Sequence, residues 1–277
     1  MVTPILGSTH RQSTSRNKPE VRLSDKNQSA LVEAQFGPRA AAYVASLTHS
    51  EGEDLKRLAA IASGRPQARV LDLGCGGGHA AFAVAPYVKE VVAYDLSHDM
   101  LNAVAAQAER RGLANITVRQ GTVESLPFRD SEFDIVMTRF SMHHWSDLAA
   151  GLKQARRVTR KEGCGAFIDT VAPSAPALDT FLQALELFRD PSHVRNYSEA
   201  EFRSALASAG FTVTTVAPRR IPIAFKAWIE RMNTPEVQAQ AIRAVQRQAS
   251  RETQSYFAVG EDGSFEIDAA TFEVVPA

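Results

Sequence analysis

Arg69-Val-Leu-Asp-Leu-Gly-Cys-Gly-Gly-Gly-His79 is the stretch from which the rest of this 277-residue chain is read. Val70, Leu71 and Leu73 make a short apolar run that breaks into glycines at 74, 76, 77 and 78, then into the small-residue stretch 80–85. The pattern predicts a buried parallel strand, a tight turn and a helix start, the unit on which nucleotide-like ligands sit. Glycines here leave no Cβ between backbone and ligand and allow positive φ. Exposed N–H groups at the helix start can hold an anion such as a carboxylate.

The spacing discriminates between ligands. A dinucleotide fingerprint reads Gly-x-Gly-x-x-Gly, with the glycines cradling a pyrophosphate. Here the pattern is Asp72-x-Gly74-x-Gly76-x-Gly78, with an acid in the strand end itself. A carboxylate facing the loop repels a pyrophosphate and attracts an ammonium group, so the ligand carries an amine as well as a nucleoside. S-adenosylmethionine fits, its amino group near Asp72 and its carboxylate near the helix N-terminus. A second strand over 90–94 ends on Asp95, 23 residues after Asp72 (95 − 72 = 23). An acid at that strand tip accepts both ribose hydroxyls. NAD enzymes share this feature, so Asp72 does most of the separating.

Four motifs stand in order: Val70-Leu-Asp-Leu-Gly-Cys-Gly-Gly-Gly78, Val92-Ala-Tyr-Asp-Leu-Ser97, Glu124-Ser-Leu-Pro-Phe128 and Phe133-Asp-Ile-Val136. Through them, residues 35–170 resemble a class I S-adenosylmethionine-dependent methyltransferase, most of all the ubiquinone/menaquinone-biosynthesis type. The resemblance implies a Rossmann-like, seven-stranded, mostly parallel α/β sheet with helices on both faces and an antiparallel last strand. It implies that the helix containing Arg39 and Tyr43 covers the cofactor, with these two closing over the methionine end; the alternative is that Tyr43 packs the helix on the sheet. It places residues 121–124 at the adenine edge, where the family often has an Asp. This chain has Thr122 there, and the backbone of Val123 can still pair with the ring, with Glu124 beside it.

Beyond the glycine loop, Leu96 and Met100 are placed to sandwich adenine, and a core position for Met100 is the competing reading. Cys75 needs a small side chain and is read as packing in the loop. The segment Thr138-Arg-Phe-Ser-Met-His-His-Trp145 follows the fourth strand, so Arg139 faces the cofactor and the two histidines face the reaction. His143 or His144 is a candidate general base; the alternative is that both orient the loop, with Trp145 packing it. Arg156, Arg157, Arg160 and Lys161 read as a solvated charge run.

Past Pro173 the motifs thin out and acceptor recognition is expected. Residues 189–197 lie between two helices, and similar family sequences put such a segment over the acceptor, so His193 and Arg195 either contact substrate or form a loop salt bridge. A helical insertion over 224–257 precedes the last strand. In it Thr234 is read as a cap before Pro235, and Trp228 and Met232 as the lining of an apolar pocket. The expected organisation is a disordered tail over 1–24 and a single domain over 25–277. That domain divides into a cofactor part to 170, an acceptor or lid part over 171–257 and a final strand region over 258–277.

Lys+Arg and Asp+Glu both number 31, which argues against a broad electrostatic grip on nucleic acid or membrane. No run approaches the ~20 apolar residues of a membrane helix. The two cysteines form neither a metal spacing nor a disulfide framework, so no metal and a reducing, cytoplasmic compartment are expected. The function implied is methyl transfer to a small organic acceptor, aromatic or quinone-like. The open alternatives are an S-adenosylmethionine-binding regulatory or scaffolding protein and, more remotely, an NAD oxidoreductase. Oligomeric state is not encoded in any of these features.

Overall fold

The computed structural model describes residues 27–40 and 52–277. Tyr43 and the tail over 1–24 lie outside them. Strands β1 (Arg69–Leu73), β2 (Glu90–Asp95), β3 (Ile116–Gln120), β4 (Phe133–Arg139) and β5 (Thr159–Ala172) are all parallel. β7 (Phe211–Ile223) and β8 (Phe265–Pro276) complete a sheet ordered β3-β2-β1-β4-β5-β8-β7. β8 runs antiparallel to both neighbours, as the resemblance implies. Besides these seven strands, the two-residue β6 (Tyr197–Ser198) pairs with Val171 and Ala172.

Helices cover both faces because alternate residues of each buried strand are apolar on both sides. Val70, Val91 and Ile135 pack in one cluster with Leu55 and Leu58 of α2 (Glu53–Ala62), Ala81 and Val84 of α3 (His79–Val84), and Leu101 and Val104 of α4 (His98–Arg110). Their strand neighbours Leu71, Val92 and Val136 face the other way. These pack with Leu152 and Ala155 of α5 (Leu148–Val158) and Phe202 and Leu206 of α7 (Glu199–Ser208). A separate core joins α6 (Pro176–Arg189) to the insertion helices α8 (Phe225–Met232), α9 (Glu236–Gln248) and α10 (Arg251–Tyr256) around Trp228, Ile242, Phe257 and Phe265.

Local signals start and stop these helices. Ser97 caps α4 by accepting the Met100 N–H, and Gly112 follows that helix at φ 67°. Ser198 and Glu201 form a reciprocal capping box at α7. Thr234 does not cap α9: that helix begins at Glu236, and the Thr234 hydroxyl donates to the Arg189 carbonyl.

The basic run is solvated only in part: Arg160 and Lys161 are exposed, whereas Arg156 and Arg157 are half-buried. Arg156 donates to the Gly210 carbonyl, and Arg157 donates to the Phe128 and Leu126 carbonyls and pairs with Asp130. Arg160, in β5, pairs with Asp134 of β4, so Arg156 and Arg157 fasten loops while Arg160 ties two strands. β7 pairs with β8 from Phe211 down to Ile223. Pro218 and Pro222 are tolerated there because β7 is the outer strand of the sheet.

Candidate cofactor and acceptor site

In the strand order, β1 lies between β2 and β4, and this reversal opens a crevice beyond the carboxyl ends of the strands. A cleft partly open to solvent occupies the crevice. Its floor is the turn from β1 into α3. Gly74 stands at φ 62°, and a Cβ there would lie 2.0 Å from Ser141 Oγ, so the loop can only pass under β4's tip as glycine. Gly78, at φ 77°, would press a Cβ against Phe82 and Val104. Cys75 is buried and lines the cleft as part of the same turn.

Asp72 is 1% exposed, lines the cleft, and accepts the Ala81 N–H at Oδ2 (3.1 Å). Burial pushes its carboxyl up to about 7. The Ala81 N–H and the Arg139 charge act against that rise, and the Asp95 charge adds to it. A buried carboxylate with one protein hydrogen bond is suited to a cationic partner, because such a partner offsets the cost of burial. Asp95 caps β2. Its Oδ2 accepts the Gly76 N–H and its Oδ1 the Ser97 N–H, each at 2.8 Å. Burial raises Asp95 too, against these backbone bonds. Each oxygen keeps a second lone pair for a ligand hydroxyl.

Leu96, Met100, Thr122, Val123 and Glu124 line the adjoining wall. Tyr94 donates its hydroxyl to the Thr122 carbonyl (3.1 Å), and Glu124 Oε1 accepts the Ser146 and Asp147 N–H groups. Glu124 therefore braces this loop against the segment that follows β4. Arg139 also lines the cleft, with its Nε 2.5 Å from Asp54 Oδ2. Arg219, from β7, holds the same carboxylate through two 2.9 Å bonds. Burial alone would raise Asp54; Arg139 and Arg219 outweigh it and hold the carboxyl below its ordinary range. Phe140, in the cleft wall at φ 53°, has its ring 5.0 Å from the Arg139 guanidinium and 5.4 Å from that of Arg219.

Part of the lining is aromatic. Phe36, Phe140, His144 and Trp145 contribute rings to it, and Gln28, Ser29 and Val32 of α1 (Gln28–Phe36) line it as well. Trp145 donates to Ser141 Oγ (2.8 Å), and its ring fills the space a side chain at Gly151 would need, so it packs the loop. His144 reaches the cleft, whereas His143 sits one ring behind, bonded to Asp169.

The remaining acceptor candidates are not brought to this cleft. Trp228 is 3% exposed, edge-on to Phe265 (5.1 Å) and beneath the Arg189 guanidinium (4.8 Å), so it is core of the insertion. Met232 is buried beside it, and its carbonyl accepts from Gln35. Arg195 pairs with Asp179 and Glu201, the loop salt bridge of the alternative reading. His193 is buried with Nε2 3.1 Å from Gln183 Oε1. Sequence reasoning missed Asp54, Asp169, Asp190, Arg219, Gln28 and His79, which opens α3 in the cleft wall. Asp169 alone had a visible signal, an acid near a strand tip, the rule that identified Asp95.

A parallel sheet of this order, with a glycine turn and a buried acid at its switch point, is an α/β nucleoside-binding architecture of the S-adenosylmethionine kind. The family model of a methyltransferase domain matches residues 71–167. YafE, an uncharacterized protein of Escherichia coli (strain K12), is 44% identical over 195 residues, covering 70% of this chain and 94% of YafE. YcgJ, an uncharacterized methyltransferase of Bacillus subtilis (strain 168), is 35% identical over 227 residues, covering 82% of this chain and 90% of its own. The crystal structure of YcgJ superposes with a TM-score of 0.77 over 80% of this chain and 97% of that one. The demethylmenaquinone methyltransferase of Chlorobaculum parvum is 35% identical over 117 residues, 42% of this chain and 46% of that enzyme. This chain belongs to the S-adenosylmethionine-dependent methyltransferase family, and S-adenosylmethionine is its cofactor. Among the described residues no helix is long and apolar enough to cross a membrane, and no cluster of His, Cys, Asp and Glu could hold a metal ion.

Proposed function

We propose that this protein methylates a small organic acceptor of planar, aromatic or quinone-like character. The observation that carries this reading is the cleft itself, which brings a buried acid and a glycine turn together with a set of flat rings. Partial similarity to a demethylmenaquinone methyltransferase supports the acceptor class. When bound, the cofactor supplies a methyl group already activated on a cationic sulfur. The protein's task is to orient the acceptor in line with that group and keep water away.

In this reading Asp72 takes the cofactor's amino group and the N–H groups at the start of α3 take its carboxylate, with Arg139 alongside. Asp95 takes the ribose hydroxyls; Leu96, Met100 and Val123 hold the adenine, and Thr122 and Glu124 shape its edge. His143 and His144 handle the acceptor's proton. Residues 25–170 serve the cofactor, and residues 171–257 shape the acceptor side.

Calorimetry with S-adenosylmethionine and S-adenosylhomocysteine tests the first half. Asp95→Ala is expected to weaken both by at least about tenfold, since hydrogen bonds to charged groups are worth roughly 1.5–3 kcal/mol. Isotopically labelled methyl donor incubated with a metabolite extract tests the second. Unchanged affinity in Asp95→Ala overturns the ribose assignment, and no label transferred overturns the enzyme.

A further inference from the structure

Three parts of the chain that share no local motif converge behind the cleft. His143 and His144 follow β4, Asp169 lies in β5, and Asp190, Ser192 and His193 follow α6. His143 Nδ1 is 2.5 Å from Asp169 Oδ1, and its backbone N–H donates to Oδ2 (3.3 Å). Asp169 is fully buried, and Oδ1 also accepts the Thr170 N–H. The His143 and His144 rings are 4.2 Å apart, centroid to centroid. His144 Nδ1 is 3.1 Å from the Ser192 carbonyl. A carbonyl only accepts, so Nδ1 carries the hydrogen and the neutral ring keeps its lone pair on Nε2. Nε2 lies 3.9 Å from Asp190 Oδ2, a buried oxygen with no hydrogen-bond partner. The other oxygen, Oδ1, accepts from the Ser192 N–H and hydroxyl.

The charged groups around these rings are Asp169 from β5 and Glu186, Arg189 and Asp190 from α6 and its end; His193 beyond it is titratable, and burial drives its pKa down. Burial disfavours charge on both rings. At His143 the charge and hydrogen bond of Asp169, with Glu186 and Asp190, outweigh burial and raise its pKa. At His144 burial and then the His143 charge lower it, and Asp190 does not compensate. The two rings are shifted in opposite directions, up at His143 and down at the ring that touches the cleft.

We propose that Asp169 is a positioning residue for proton removal. By fixing the His143 ring against His144, it leaves His144 as the proton acceptor at the cleft wall. The acceptors served are therefore those with a phenol- or enol-type hydroxyl, not tertiary amines, which have no proton to lose. The inference rests on the methyltransferase reading. In the step it implies, the hydroxyl proton passes to His144 Nε2. The electron pair it leaves forms the new bond to the methyl carbon, and the pair of the broken carbon–sulfur bond stays on sulfur. The unpartnered Asp190 oxygen then faces a cationic ring that has a hydrogen to donate.

The test follows the histidine ring resonances by NMR in the protein saturated with S-adenosylhomocysteine, from about pH 5 to about pH 8. The parent is expected to show a His143 midpoint above, and a His144 midpoint below, that of an ordinary imidazole. In Asp169→Asn, the His143 midpoint falls and the His144 midpoint moves up by about one pH unit or more, the size of a like-charge effect at this range. His143→Gln is the second variant and gives the same upward move. An ordinary His144 titration near ~6.5 in the parent, or an unmoved midpoint in a folded variant, overturns the proposal; a merely structural Asp169 would lower the melting temperature without touching that midpoint. Labelled-methyl transfer to simple phenols and enols against tertiary amines reads the acceptor class, and label on amines alone overturns it. Failure to bind S-adenosylhomocysteine, read by calorimetry, would instead overturn the methyltransferase reading.

Discussion

In the assignment proposed above, the methyl-donor end of the cleft relies largely on backbone groups, whereas the acceptor end is made of side chains. At the donor end a glycine turn passes under Ser141, Asp95 is pinned by two N–H groups, and Asp72 receives a third. At the acceptor end His143, His144, Asp169, Asp190 and Ser192 hold one another, and α1 closes over them. A backbone site depends on strand order and a few residues without a Cβ, so it survives large changes elsewhere. A side-chain site can be rebuilt residue by residue, which is what a change of acceptor requires.

The largest effect expected from this division lies in the insertion. Trp228 is packed between Phe265 and Arg189, in a core separate from the two that flank the sheet. Trp228→Ala should cost roughly 3–5 kcal/mol of stability, as large-to-small core substitutions do. The folded fraction should keep its S-adenosylmethionine affinity. Denaturant unfolding and calorimetry on the same sample check both. A stability near the parent's would return Trp228 to the acceptor pocket and blur the contrast between the two ends.

Next in size is Asp72, where the contrast becomes one of charge. Its carboxyl is pushed up to about 7 by burial, so in the free protein the folded state holds a proton that the unfolded state has released. Stability from this group is therefore greatest below the unfolded value of about 3.9 and declines as pH rises toward 7. Binding has the opposite sign, because an ammonium group needs the ionised acid. Affinity should climb through pH 7 and fall again as the ligand's own amine deprotonates near ~8. Asp72→Asn should lose about 10–100-fold in affinity, flatten the rise, and leave the free protein no less stable above neutrality. Calorimetry and melting curves across pH measure these together, and a pH-independent affinity in the parent would refute the pairing.

The same contrast explains what could be read before the structure. The donor end was legible because each part is local: Val70 to Gly78 is one turn, and Asp95 is named by its place at the end of an apolar strand. The acceptor end was not, because its partners lie far apart in the chain. Asp54 meets Arg219 across 165 positions, and His144 meets Ser192 across 48. Trp228 misled for a related reason. A cluster at one-turn spacing looks the same whether its apolar face meets a ligand or Phe265, and only packing decides. Arg157 looked solvated because the carbonyls it serves, at Leu126 and Phe128, leave no trace in the residue types there.

The smallest effect concerns α1, which touches both ends. Near its C-terminal end Gly37 packs against Asp99 and Ser97 at the start of α4, on the donor side. At its other end Gln28 donates to the carbonyls of Ser192 (2.6 Å) and His144 (3.4 Å), on the acceptor side. Gln28→Ala removes the second attachment and leaves the first. A net hydrogen bond is worth about 1 kcal/mol, so the first turn of α1 should exchange its amide hydrogens about fivefold faster in the presence of S-adenosylhomocysteine. Affinity for that ligand should stay within about twofold, because Asp72, Asp95 and the glycine turn are untouched. Hydrogen exchange by mass spectrometry over residues 28–36, beside calorimetry, separates the two quantities. A tenfold loss of affinity would mean that the helix closes both ends as one unit, and the division drawn here between a backbone end and a side-chain end would have to move to include α1 on the donor side.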